Sequence, residues 1–548
     1  MSIGRAMPSF PISDDIVTTV ERTIVPLPIP DDAETIFPYE VGKYAANGYG
    51  RWEYGPGVPI ERRTDLVGPG AGAAPTADPV RLLRFFAITD VHITDKQSPA
   101  QGILIGYKGG SPLAICAYSM VMPFTVHVLD AAVQTINALH ARDAFDFGIG
   151  LGDAVNSTQF NELRWYIDVL DGTRISPRSG SDESTDESAL VDYLRDFQPA
   201  GLDPTIDWYQ TIGNHDQFWM GVMPADDHLR EVLAGAEILD LGDVFSNPMG
   251  MDSRGLYMGS LDCSTAIPEI IGVGPESEFP VPPQVPGADP QRRSVTKAEW
   301  IGEFLESTSS PRGHGFDEDS VAGAFASYSF QPNPGVPIKV IVLDDTQSIH
   351  DENVVGLGGY GHGSLDRARF EWLVAQLEVG QAEDHLMIVA AHIPIGTDDP
   401  DGPAGWSSVS EVTERELIDT LHRFPNLILW VAGHCHLNVV TALTSPDPTR
   451  PELGFFEVET FSLRDFPQEF RTFDIQANGD GTVSVIATSV DPAVEEGSIA
   501  ARSRDFAVAS YQLFTDPADP QAESAYNAEL VIPLSPEMAM VIGSAFIQ

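Results

Sequence analysis

Residues 427–436 read Leu-Ile-Leu-Trp-Val-Ala-Gly-His-Cys-His. Six apolar residues in succession are short for a helix and suit a strand buried on both faces. The run stops at Gly433, and two imidazoles follow at once, His434 and His436. The same pattern recurs along the chain. An apolar run at 85–89 gives way to Asp90-Val-His92, and one at 147–151 to Gly152-Asp153-Ala-Val-Asn156. The stretch 205–212 closes with Gly213-Asn214-His215-Asp216, and 386–391 is followed by His392. Ligand sites in α/β proteins lie outside the carboxyl ends of strands, so these side chains are expected to converge on one crevice. Singly each motif is weak, because a lone histidine is more often a satisfied surface or core residue. Five in one chain, each at a strand end, are hard to read as packing.

Working outward, helical spacing appears at 128–140, at 364–378 with Phe370, Leu373 and Leu377 on one face, and at 411–422. A further strand is expected at 339–343. The tail from 454 reads as antiparallel β with a hairpin across Asn478-Gly-Asp-Gly481, which lacks the downstream Glu of an EF-hand calcium loop. Residues 1–78 are rich in Pro, Gly and aromatics and read as an extended arm. The core is expected over 79–475, with a long insertion at 217–322 whose centre, 268–290, is Pro-rich; 476–548 would be a β-rich extension packed on it. The run 179–188 is an acidic solvated loop. The glycine-rich 356–363 lacks the Gly-Lys-Ser/Thr of a phosphate-binding loop, though His362 within it could reach the cleft.

The chain has 548 residues, and its mean hydropathy of −0.07 suits a globular protein. Its charge is extreme: 80 acidic against 31 basic residues give −49, and only five of the basic residues are lysines. That excludes nucleic-acid binding through a basic surface and electrostatic docking to an anionic membrane. It favours solubility in salt. Three cysteines allow one disulfide at most. The N-terminus shows no apolar signal-peptide core, so a cytoplasmic location is expected, with export after signal removal as the alternative. The most apolar stretch, 113–129, carries Ser119, Pro123, Thr125 and His127 and reads as buried helix or loop, not a membrane span.

The order D-x-H, G-D-x-x-[DN], G-N-H-[DE], H, G-H-x-H resembles the calcineurin-like metallophosphoesterases, and all five blocks are present without substitution between Asp90 and His436. The spacing from Asp216 to His392 suggests a long-insert, bacterial-type member. The resemblance implies a four-layer α/β/β/α sandwich of two mixed sheets. It implies two divalent transition-metal ions, manganese first, with iron, zinc or nickel as alternatives. Carried over, Asp90, His92, Asp153 and His436 would hold one ion; Asp153, Asn214, His392 and His434 would hold the other, with Asp153 bridging. Two cations would acidify a shared water to hydroxide and stabilise charge on phosphorus. His215 would be the general acid, with Asp216 accepting from its other ring nitrogen, and Asn156 would stand behind the ligands. The substrate would be a small phosphate ester, a phosphodiester first because the insertion could wall a cleft for bulkier molecules. A phosphomonoesterase or nucleotidase is the alternative, and a non-catalytic metal-binding module the third reading. Purple acid phosphatases carry Gly and Tyr where this chain has His92 and Asn156, so no iron–tyrosinate site is expected. Cys435 should point away from the metals by alternation. Trp219 is a candidate to flank the leaving group or, more simply, to pack the insertion; Asp95 and His127 are candidate rim residues.

Overall fold

The structure, a computed structural model, describes residues 12, 16–67, 79–109, 114–180, 190–244, 254–349, 360–396, 405–515 and 525–546. Two large mixed sheets form its centre. The first runs, in spatial order, Val439–Leu443, Phe455–Glu459, Leu427–Ala432, Leu386–Ala390, Ile338–Val342 and Tyr328–Phe330, with the four inner strands parallel. The second runs Glu61–Arg63, Ala528–Pro533, Thr482–Val490, Phe470–Ala477, Val80–Ile88, Phe147–Gly150 and Trp208–Gln210, with the last three parallel.

Alternation along the strands builds the layers. Val340, Val342, Ile388, Leu429 and Val431 join one buried cluster with Phe85, Phe147 and Phe473 of the second sheet. Their neighbours Ile341, Met387, Val389 and Trp430 turn to the other side. There they meet Leu373 and Leu377 of helix Arg367–Ala382 and Leu417 and Leu421 of helix Glu414–Leu421. In the second sheet Phe85 stacks on both Phe147 and Phe473, with ring centroids 4.8 and 4.6 Å apart. Phe86 lies over Gly148, where an added Cβ would come within 2.1 Å of its ring. Helices Thr125–Arg142 and Phe160–Asp171 contribute Leu129, Val133, Leu163 and Ile167 to this core. The result is the expected pair of mixed sheets between helices.

Several elements differ from their reading in the sequence. The first 78 residues include strand Arg22–Pro26 paired with Trp52–Pro56, while Glu61–Arg63 forms an edge of the second sheet. The line drawn at 475/476 falls inside strand Phe470–Ala477, and Thr482–Val490 is an interior strand. The tail is not all β: helices Ile499–Phe514 and Pro536–Phe546 lie in it. The hairpin at 478–481 forms as read, with the Asn478 N–H on the Thr482 carbonyl at 3.1 Å. The strand expected at 205–212 shortens to Trp208–Gln210. Within 217–322 lie the hairpin Leu256–Asp262/Glu269–Pro275 and helices Asp227–Ala234 and Lys297–Leu305. Trp219 packs this insertion against Leu229, Leu233 and Met258, its indole N–H on the Ala100 carbonyl at 2.8 Å. Most of the acidic run 179–188, and residues 356–359 of the glycine-rich stretch, lie outside the described residues. Among the described residues no helix is long and apolar enough to cross a membrane.

Lys96 lies in this core, 1% exposed, its ammonium 5.7 Å from the Trp165 ring centroid. Burial lowers its pKa from 10.5 to about 8, with Cys263 and Asp95 offsetting only part. Between these two values the unfolded chain holds a proton that the folded chain has shed, so stability rises with pH through that window. Below it the buried charge weighs in full. Lys96→Met should therefore stabilise the protein at pH 7 by up to about 3 kcal/mol. The gain should vanish above the upper end of the window, which denaturant midpoints at both pH values would check.

Candidate metal centre

All seven expected donors stand on loops just past parallel strands, and the structure brings them together. One group is Asp90, His92 and His436. His436 Nε2 is 3.3 Å from Asp90 Oδ1 and 3.2 Å from His92 Nε2. The other is Asp153, His392 and His434, with Asn214 between the imidazoles. Asn214 Oδ1 is 2.9 Å from His392 Nε2 and 3.1 Å from His434 Nδ1. Asp153 faces both groups with one atom: Oδ2 is 3.7 Å from His92 Nε2 and 3.3 Å from His392 Nε2. Its Oδ1 accepts the backbone N–H of His215 at 2.8 Å.

Backbone conformation sets these directions. Asp90, His92, Asp153, His434 and His436 have φ of 50°, 46°, 51°, 78° and 55°. That left-handed region is costly for residues with a Cβ. The loops are tied to each other to hold it: Asp90 N–H bonds the Gly152 carbonyl at 3.1 Å, and His92 N–H the Asp153 carbonyl at 3.0 Å. Asp90 Oδ2 accepts from the Thr89 hydroxyl at 2.6 Å and the His434 N–H at 2.9 Å. Gly433 permits this approach, since a Cβ there would lie 2.0 Å from Thr89 Oγ1.

Ring orientation is fixed from behind. Nδ1 of His392 donates to the Leu151 carbonyl and Nδ1 of His215 to the Asn156 carbonyl, each at 2.8 Å. A carbonyl only accepts, so Nδ1 of each ring carries a hydrogen and Nε2 is the atom left to face the centre. His436 Nδ1 is 2.6 Å from Asp465 Oδ2.

The donors fit divalent transition metals. Asp90 Oδ1 is buried without a hydrogen-bond partner, yet it faces two imidazoles. Burial disfavours charge on His392, but the carboxylates of Asp153 and Asp90 outweigh it and raise the imidazole to about 10. Burial would likewise raise Asp153, and the charges on His392 and His215 instead bring it below the carboxylate range. A cation between them would replace these protons. Neutral nitrogen with hard oxygen suits Mn, Fe, Zn or Ni.

Asp216 does not take the hydrogen bond expected of it. Its carboxylate turns to the backbone, accepting from Gly213 at 2.8 Å, Asp153 at 3.0 Å and Val155 at 3.3 Å, so it clamps the loop that carries Asp153. His215 pairs with Asn156 instead. Burial lowers the His215 imidazole to about 3, with the Asp153 carboxylate opposing. His215 also lies within ligand reach of His92 and Asp153. Asn156 stands behind the donors, its side-chain oxygen accepting from Arg464 at 2.9 Å. Asp95 is not a rim residue: it is buried, bound by the Asn161 amide at 2.8 Å and 3.4 Å from Arg292. Cys435 joins none of the donor groups found among the described residues. Burial, reinforced by nearby Glu459, pushes its thiol well up. All three cysteines are free.

Sequence reasoning missed Asp465, Asp345 and Arg464. Asp345 accepts the N–H groups of His392 and Ile393 at 3.2 and 3.0 Å. Arg464 is fully buried and ties the Cys116 carbonyl, at 2.8 Å, to Asn156. Asp465 lies past strand Phe455–Glu459, the parallel neighbour of Leu427–Ala432. It gives His436 a carboxylate partner, an arrangement that orients imidazole ligands and raises their basicity. Asp465→Asn should weaken metal binding by about ten- to a hundredfold, read by competition with a chelating dye.

No protein-family model and no curated protein matches the chain. Among solved structures it is similar to a dimetal phosphatase from Danio rerio, with a TM-score of 0.38 and 11% identity over 75% of this chain and 100% of that one. It is also similar to a purple acid phosphatase from yellow lupin (Lupinus luteus) seeds, with a TM-score of 0.31 and 9% identity over 89% of this chain and 57% of that one. Both superpositions are loose, and the assignment of the centre rests on its own donors.

Proposed function

We propose that this chain is a dinuclear metallophosphoesterase that hydrolyses small phosphate esters, phosphodiesters first. The observation that carries the reading is the single oxygen, Asp153 Oδ2, turned toward imidazoles of both donor groups. Asp90, His92, Asp153 and His436 would hold one ion, and Asp153, Asn214, His392 and His434 the other. When bound, such a pair supplies Lewis acidity, which acidifies water and neutralises charge on the phosphoryl oxygens. The chain's own part is orientation and proton transfer. His215 keeps Nδ1–H on the Asn156 carbonyl, which leaves Nε2 to carry a proton to the departing oxygen once an anionic ester beside it offsets the burial that keeps the ring neutral. Asp216 holds the loop from which Asp153 projects. The preference for diesters rests on the insertion at 217–322, which supplies a hairpin and helices beyond the sheets.

The test is hydrolysis of bis-(p-nitrophenyl) phosphate beside p-nitrophenyl phosphate, after stripping metal and restoring it, Mn²⁺ first. Turnover that survives thorough chelation would sink the reading; faster cleavage of the monoester would make it a phosphomonoesterase. Charge adds a further expectation. The net −49 repels an anionic substrate at long range, whereas six of the seven donors of the centre are buried and His434 is partly so. At 1 M salt the screening length is only about 3 Å, so the distant charges fade first. Activity should persist or rise into molar KCl. Steady loss of kcat/KM from low salt upward, with the fold intact by circular dichroism, would contradict this.

A further inference from the structure

His436 presents its two ring nitrogens to different donors. Nε2 faces Asp90 Oδ1 at 3.3 Å. Nδ1 faces the other way, toward Asp465 Oδ2 at 2.6 Å and Cys116 Sγ at 3.9 Å. One donor atom from each of Cys116, His436 and Asp465 lies within 4.8 Å of the others, a spread that one cation could draw together. Asp465 is buried, its side chain 6% exposed, and its second oxygen Oδ1 has no hydrogen-bond partner. Cys116 is free and only partly buried, so the set joins an unused buried acceptor to a free thiol.

We propose that Cys116, His436 and Asp465 form a third metal site, outside the dinuclear pair and selective for thiophilic divalent ions such as Zn²⁺, Cd²⁺ or Co²⁺. Sulfur provides the selectivity: thiolate favours soft and borderline ions, whereas Mn²⁺ prefers oxygen. Binding releases two protons, one from the Cys116 thiol and one from between His436 Nδ1 and Asp465, and the ring then bridges two ions as imidazolate. Occupation inhibits, because it removes the hydrogen bond that orients His436 as a ligand of the first ion. The inhibition rests on the dinuclear reading, and the existence of the site does not.

Co²⁺ is the probe, because its bond to thiolate gives a near-ultraviolet charge-transfer band that oxygen and imidazole donors do not. The full chain is stripped of metal and titrated beside Cys116→Ser. In the parent protein the first two equivalents should bind without the band, and the next should bring it in. Cys116→Ser should take the first two and never show it. In parallel, excess Zn²⁺ added to Mn²⁺-loaded protein should lower turnover by about tenfold or more in the parent and by less than about twofold in Cys116→Ser, a separation of the size that ligand-orienting contacts provide. Absence of the band at saturation in the parent would overturn the proposal. So would its persistence in Cys116→Ser, since Cys263 or Cys435 would then be the ligand. Failure of the dinuclear reading has a different signature, fewer than two band-free equivalents, and the dependence of the band on Cys116 still decides the third site.

Discussion

Asp153→Asn is expected to lower kcat/KM for phosphoester hydrolysis by about a hundred- to a thousandfold, the scale seen when one preorganised electrostatic contact is lost from an active site. Bound metal should fall from two ions per chain to one or none. The substitution changes little else. An amide has the same shape, and its oxygen can still accept the His215 N–H that Asp153 Oδ1 accepts now. The loop stays clamped, since Asp216 grips the backbone N–H groups of Gly213, Asp153 and Val155. What goes is the negative oxygen facing His92 and His392 together. A neutral amide cannot hold two dications side by side. Metal analysis and circular dichroism on the same sample separate this loss from unfolding. A variant that kept two ions and activity within about tenfold, or about 1.4 kcal/mol, would refute the bridging role.

His215→Ala is expected to keep both ions and lose rate in proportion to the basicity of the leaving group. Loss should reach about a hundred- to ten-thousandfold for alkyl esters, the range of general acid catalysis, and be far smaller for p-nitrophenolate, which departs without a proton. The geometry admits one competing outcome. His215 lies within ligand reach of His92 and Asp153, and its ring packs edge-on to His92 at 4.4 Å between centroids. If it were a ligand, metal content would fall and both classes of ester would suffer alike. Measuring metal alongside the two substrates separates the roles, and loss of metal would remove His215 as the acid.

The centre was legible because its donors obey a rule of position. An apolar run says where a parallel strand ends, and the residue just beyond it projects from the carboxyl edge. Asp465 lies too far past strand Phe455–Glu459 for that rule and no recurring motif marks it; only the packing of that strand beside Leu427–Ala432 brings it to His436. Asp216 was given the wrong partner because adjacency in sequence does not set side-chain direction. Its neighbour's ring turns to a carbonyl, and its own carboxylate turns back on the loop. Helix Ile499–Phe514 was missed for a different reason. It buries Ser503, Arg504 and Ser510 beside Ala500, Ala507, Val508, Ala509 and Phe514, so its inward face carries only weak hydrophobic contrast.

The five left-handed residues of the centre bear on how such a sequence persists. Holding a residue with a Cβ in that region costs roughly 1–2 kcal/mol, so the set amounts to about 5–10 kcal/mol, comparable to the whole stability of an ordinary domain. Glycine would relieve the strain at any one of them, and drift offers that change repeatedly. At Asp90 and Asp153 that relief would be offset by the hydrogen bonds lost to Thr89, His434 and His215. This chain carries Asp, His, Asp, His and His at all five positions. The strain therefore sits on the donors of the centre, in keeping with the way backbone strain clusters at functional sites.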